Sequence, residues 1–93
     1  FTSAMYPDGG LESTILALNN VFYHWGCVLV PPGFTDPVVG EAGGNPYGTA
    51  FPSGSGRPTD AVIAAARYQG RRLTHFTDIL TSARLPEREG APA

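Results

Sequence analysis

Between Leu11 and Trp25 the apolar residues Leu11, Ile15, Leu18, Phe22 and Trp25 recur at steps of four, three, four and three. That spacing is one continuous stripe of a helix. Asp8, Gly9 and Gly10 precede the stripe, and Gly26 follows it where a glycine ending a helix belongs. Phe1-Thr2-Ser3 reads as the end of a strand leading into the loop. Cys27-Val28-Leu29-Val30 is too short for a helix and apolar without alternation, which predicts a strand buried on both faces. Residues 1–31 therefore predict most of a β-loop-α-β crossover, the unit of parallel sheets. The loop before the helix then opens at the carboxyl edge of a sheet, where ligands sit in open α/β folds.

Pro31-Pro32-Gly33-Phe34 ends the apolar run abruptly. Residues 32–57 are rich in Pro and Gly, and only Val38-Val39 resembles a short strand. Phe34, Tyr47 and Phe51 argue against disorder, because aromatics are scarce in disordered segments. This long loop is expected to pack on the sheet or on another subunit; the plainer alternative is a crossover that covers a sheet edge. Thr59 is expected to cap a second helix, with Asp60 in its first turn, running to about Ser82. Its apolar face would hold Val62, Ala66, Leu73, Phe76, Ile79, Leu80 and Ala83. Gly70 interrupts that face, and close packing against the sheet or the long loop would account for it. Leu85 to Ala93 reads as a disordered polar tail.

Ninety-three residues allow one domain at most. A doubly wound domain needs more strands than this pattern supplies, so residues 1–84 are expected to be the C-terminal part of a larger domain. The alternative is a self-sufficient small α/β protein, although two strands rarely stand alone. The net charge of −2 points to neither nucleic acid nor an acidic membrane surface. Its distribution is uneven: Asp8, Glu12, Asp36 and Glu41 lie in residues 1–56 without any Lys or Arg, and all six arginines lie from Arg57 onward. A phosphate would thus meet only backbone N–H groups in the first half, or groups outside this chain. Arg67, Arg71 and Arg72 read as a solvated face, and His75 as an exposed helix residue. Cys27 has no partner for an internal disulfide and is expected to be an inert buried thiol, in keeping with a reducing cytosolic setting. No apolar run approaches the roughly 18 residues of a membrane span, and no signal peptide is visible.

Two places carry candidate chemistry. Ala4 to Gly10 has small residues that let a flat ligand approach the backbone, so it is either a ligand loop or an ordinary βα turn. The helix start after it offers unpaired N–H groups to an anion or a polar ring edge. His24, in the last helical turn, is either a cation complementing the helix dipole or a proton donor in a cleft.

Four stretches go further: FTS with the GGLES loop and helix start, YHWG before an apolar run ending in P-x-G, GGNPYG, and ARYQG. In this order and spacing they resemble the C-terminal half of the WrbA family. These are flavodoxin-like, FMN-dependent NAD(P)H:quinone oxidoreductases, once described as tryptophan-repressor-binding proteins. The match covers residues 1 to about 80. The resemblance implies an α/β, flavodoxin-like doubly wound parallel sheet in the order 2-1-3-4-5, of which this chain supplies the last two strands and last two helices. It implies that Ser3, Ala4, Met5, Tyr6, Gly9 and Gly10 border the isoalloxazine of FMN, the phosphate being held by a segment outside this chain. The family's active-site histidine falls on His24, which would be catalytic and would touch both flavin and quinone. The tyrosine that the family carries after the P-x-G turn is Phe34 here, which keeps a stacking wall for the substrate and removes a hydroxyl. A cytoplasmic homo-tetramer with active sites near subunit contacts is further implied, with NAD(P)H as electron donor and no metal. The alternatives are a flavodoxin-like electron carrier, against which the small net charge and long loop argue, and a non-enzymatic partner-binding protein.

Overall fold

In the computed structural model, residues 1–83 are described. A short strand, β1 (Thr2–Ala4), leads through the loop Met5–Gly10 into helix α1 (Leu11–His24). Gly10, at φ 107°, turns the chain into α1, and no side chain caps the helix start. The helix stops where the sequence places its end. Gly26, at φ 77°, donates to the Tyr23 carbonyl and Cys27 donates to the Phe22 carbonyl, both at 3.0 Å. Those two bonds satisfy the last helical carbonyls in a Schellman ending, which needs the positive φ that glycine supplies.

The second strand is displaced from its expected place. Cys27–Val30 has no strand partner among the described residues. Instead β1 pairs in parallel with β2 (Ala50–Pro52), in the register Thr2↔Ala50, Ser3↔Phe51, Ala4↔Pro52. The crossover therefore closes more than twenty residues later than hydrophobicity indicates. A continuous apolar run marks burial but does not name the backbone that pairs with it. Here the three residues of β1 are taken by β2, and Cys27 and Val28 stand exposed. Cys27 is accordingly an exposed thiol, not the buried one expected. Leu29 and Val30, half-buried, join Ile15, Leu18, Phe22 and Leu73 in lining an open trough of about 240 Å³.

The long loop contains structure that its composition hides. Val38-Val39 belongs to a helical turn, α2 (Pro37–Glu41), and not to a strand. The Asp36 carboxylate accepts the Val38 N–H at 2.9 Å, and Pro37 occupies the first helical position, where its missing donor costs nothing. A single 3-10 turn, Ser53–Ser55, follows β2 and precedes α3 (Asp60–Ser82). The Thr59 hydroxyl caps α3 by accepting the Val62 N–H at 3.2 Å, as expected. The expected tail from Leu85 lies outside the described residues.

The core is thin. Ile15 of α1, Val39 of α2, Ala50 of β2 and Val62 and Ala65 of α3 are buried, and Pro32 is fully enclosed. Leu73, Ile79 and Leu80 remain exposed, so the fully buried residues of α3 lie in its first part, where α2 packs. The radius of gyration, 15.9 Å, exceeds the roughly 12 Å of a compact domain this long. The described residues form a small α/β unit with a two-stranded parallel sheet, compatible with a flavodoxin-like fold.

Gly70 does not pack as expected. A Cβ built there meets nothing within 4 Å. Gly70→Ala should therefore stabilise α3 by about 0.5–1 kcal/mol, the helix penalty of glycine. A denaturant melt reads this directly, and a loss of stability would mean that a close neighbour covers the position.

Candidate functional site

The loop Met5–Gly10 projects from the end of β1 and is exposed along almost its whole length. Within it the Gly9 N–H donates to the Tyr6 carbonyl at 3.0 Å, closing a turn around Pro7-Asp8. A Cβ at Gly9 would stand 3.0 Å from that same carbonyl, so the turn favours glycine by space rather than by φ. Beside the loop lies an open cleft of about 390 Å³, lined by Pro7, Asp8, Gly10, Leu11, Ser13 and Leu16 among others. Uncapped helix N–H groups and an apolar wall meet there. Ser3 is exposed and Ala4 half-buried at the strand end behind it.

His24 is the last residue of α1, exposed, between Tyr23 and Trp25, which are 64% and 68% exposed. The Trp25 ring stands edge-on to Phe22, with centroids 5.9 Å apart. At 1.5 Å per residue, the fourteen residues of α1 put His24 about 20 Å along the helix from the loop. One copy of the chain does not bring His24 and the loop into one site. Phe34 is likewise apart. It is 69% exposed after the Gly33 turn, in a cleft with Thr35, Asp36, Pro37 and Gly40 that shares no residue with the cleft at the loop.

The two glycine- and tyrosine-bearing motifs meet as a structural joint. The Gln69 Oε1 accepts both the N–H and the hydroxyl of buried Thr49, each at 2.8 Å. The Thr49 carbonyl accepts the Thr2 N–H at 3.2 Å, tying β1 to α3 through one residue. Gly48 packs against Ile15, whose Cδ1 would lie 3.1 Å from an added Cβ. The Pro46 carbonyl accepts the Gly33 N–H at 2.9 Å, and Asn45 Oδ1 accepts the Tyr47 N–H at 3.1 Å. Thr35 donates to the Pro32 carbonyl at 2.7 Å, so the Tyr68 hydroxyl donates to Thr35 Oγ1. GGNPYG and ARYQG thus hold the long loop onto both helices. Arg72 also departs from a purely solvated face: its Nε donates to the Pro31 carbonyl at 3.1 Å, and its guanidinium lies 4.9 Å from the centre of the Phe76 ring. His75 is exposed, as expected.

The sequence pattern alone passes over Thr49 and Gln69, which join the long loop to α3. A glutamine interrupting the helical stripe between Ala66 and Leu73 is the signal that points to them.

No protein-family model matches the chain. Curated relatives do. The chain is similar to the NAD(P)H dehydrogenase (quinone) of Deinococcus radiodurans, 43% identical over 77 residues, or 82% of this chain and 38% of that protein. It is 40% identical over 88 residues to the protein of the same name from Syntrophobacter fumaroxidans, covering 87% of this chain and 43% of that one. The namesake from Methanosarcina acetivorans is 38% identical over 81 residues, covering 80% and 39%. The resemblance carried by the four motifs therefore extends to named quinone dehydrogenases across most of the chain. The chain spans about two-fifths of the length of these curated relatives. Among the described residues, no helix is long and apolar enough to cross a membrane.

Proposed function

We propose that this chain is the C-terminal half of a flavodoxin-like, FMN-dependent enzyme that reduces quinones by two electrons at the expense of NAD(P)H. The observation that carries this reading is the similarity, over about four-fifths of the chain, to relatives named NAD(P)H dehydrogenase (quinone). The parallel pair of β1 and β2 would form one edge of a sheet in the order 2-1-3-4-5, completed by polypeptide outside these residues. A cytoplasmic homo-tetramer belongs to the same proposal.

The residues present suit one end of FMN and not the other. Pro7, Leu11 and Leu16 offer an apolar wall, and the uncapped start of α1 offers N–H groups to the carbonyl edge of a flat ring. Asp8 and Glu12 beside them, with no Lys or Arg in residues 1–56, make the same place unsuited to a phosphate. Ser3, Ala4, Met5, Tyr6, Gly9 and Gly10 would therefore border the ring, while the phosphate is held elsewhere. When bound, FMN would supply the two-electron redox chemistry, exchanging a hydride with the nicotinamide and passing electrons to the quinone.

The chain's own part is orientation and charge. Because His24 stands about 20 Å from the loop along α1, the His24 that serves a given flavin would come from another copy in the tetramer. The exposed Tyr23 and Trp25 beside it provide an aromatic end for such a contact. His24 would donate a hydrogen bond or proton to the quinone oxygen as negative charge develops there. Phe34, without a hydroxyl, would limit its contribution to stacking against the substrate. The test is spectroscopic: NADH or NADPH should bleach the bound flavin of the intact protein, and a quinone should restore it. A flavin that neither nucleotide reduces would overturn this function.

A further inference from the structure

The pairing between β2 and β1 continues past the last strand residue. Pro52 has no N–H to give, and the chain turns through Ser53–Ser55. From within that turn the Gly54 N–H donates to the Met5 carbonyl at 2.8 Å. Met5 is the residue at which the chain leaves the sheet for the exposed loop. The approach is very close. A Cβ on Gly54 would lie 2.3 Å from the Met5 carbonyl oxygen and 3.1 Å from its Cγ.

Gly54 differs in kind from most of the other glycines. Gly26, Gly43 and Gly56 have positive φ and open space where a Cβ would be. Gly54 lies outside that positive region, so its backbone does not require glycine; only its contact with Met5 does. β1 is consequently held at both ends. Thr2 is tied through Thr49 to Gln69 of α3, and Met5 is tied to Gly54. Beyond Met5 the loop carries its internal turn from Gly9 to Tyr6, and at its far end the Gly10 carbonyl accepts the Thr14 N–H of α1 at 2.9 Å. The Met5 carbonyl is thus the anchor of Tyr6–Gly10 on the sheet side, as Gly10 is on the helix side.

We propose that Gly54 is a positioning residue: by clamping the Met5 carbonyl it sets the place of the loop Met5–Gly10 at which the flavin ring edge binds. This rests on the flavin reading of that loop. A side chain at Gly54 forces the Met5 carbonyl away by roughly 1 Å, a displacement of the size that costs on the order of 100-fold in rate where reacting groups must be held in place.

The test compares Gly54→Ala with Gly70→Ala in the intact protein, the second being a glycine with free space around it. The apoproteins are examined first, by amide chemical shifts and hydrogen exchange of Tyr6–Gly10, with circular dichroism to establish folding. Gly54→Ala should shift these amides and deprotect the bonded Gly9 N–H while Gly70→Ala leaves them alone; unchanged amides in a folded Gly54→Ala overturn the clamp, whether or not the wild type takes FMN. Titration of FMN, followed by quenching of its fluorescence, should show Kd raised by up to about tenfold for Gly54→Ala only, the worth of roughly one hydrogen bond. An unchanged Kd overturns the positioning role, and a wild type that binds no FMN overturns the flavin reading along with it. Should Gly54→Ala fail to fold, the wild-type Gly54 amide decides the matter. Its exchange should slow when FMN binds, because a ligand that needs the clamp must strengthen it, and exchange indifferent to FMN overturns the proposal.

Discussion

Gln69→Leu should destabilise the protein by about 1–3 kcal/mol, the cost of leaving a buried donor unpaired, whereas Gln69→Glu should come close to wild type. The Thr49 N–H can only donate, so the Gln69 atom facing it is the carbonyl oxygen, and the same Oε1 accepts the Thr49 hydroxyl. Thr49 is 8% exposed, which leaves little water to replace the lost partner. Leucine has the volume of glutamine but no acceptor, and the backbone N–H, unlike the hydroxyl, cannot rotate toward another group. Glutamate retains the acceptor at the same reach, and Gln69 is only half-buried, so its charge stays partly solvated. The damage should spread beyond α3. Thr49 also receives the Thr2 N–H, so β1 and the loop it carries lose their tie to the helix. Thermal or urea melts of the two variants check the prediction, and equal losses for Leu and Glu would show that the side chain acts through packing and not as an acceptor.

The joint explains which parts of the structure were legible in the sequence. Helix α1 was, because Leu11, Ile15, Leu18 and Phe22 repeat at helical spacing and Gly10 and Gly26 bracket them with the positive φ that each turn needs. The cap on α3 was, because Thr59 and Asp60 stand directly before an apolar stripe. The position of the second strand was not. Val28, Leu29 and Val30 are far more apolar than Ala50, Phe51 and Pro52, yet the latter pair with β1. Pairing depends on where Gln69 and Gly48 set Thr49, which are long-range contacts that no local window contains. The turn of α2 was hidden because Val38-Val39 is β-branched, and its capping by Asp36 with Pro37 outweighed that preference. At the candidate site the loop was legible from its small residues. The separation of His24 from it also follows from helix length, which the motif spacing alone leaves unconsidered. The bond from Gly54 to Met5 was not legible, because open space around a glycine and a carbonyl packed against it look the same in a run of Ser and Gly.

The largest functional effect is expected at His24. If it stabilises the reacting quinone oxygen, His24→Ala should lower turnover by about 10- to 1000-fold, or about 1.4–4 kcal/mol of transition-state stabilisation, with flavin content and assembly intact. If it only complements the C-terminal dipole of α1, the change should cost about 0.3–1 kcal/mol of stability and leave turnover alone. The structure sharpens the contrast between these outcomes. The last carbonyls of α1 already receive the N–H groups of Gly26 and Cys27, so the helix end does not depend on His24 for its hydrogen bonds. The side chain is exposed and makes no hydrogen bond within the described residues. Its removal should therefore disturb this chain little by itself. The distance of about 20 Å to the loop adds a second readout: if another copy's histidine serves each flavin, dilution that separates the copies should lower wild-type turnover toward the level of the variant. The His24→Ala protein, already lacking that group, should lose far less on dilution. Steady-state kinetics across a concentration series, with a melting curve on each protein, decides it. Turnover unchanged by the substitution, accompanied by a lowered melting point, would return His24 to the helix end and remove it from the reaction.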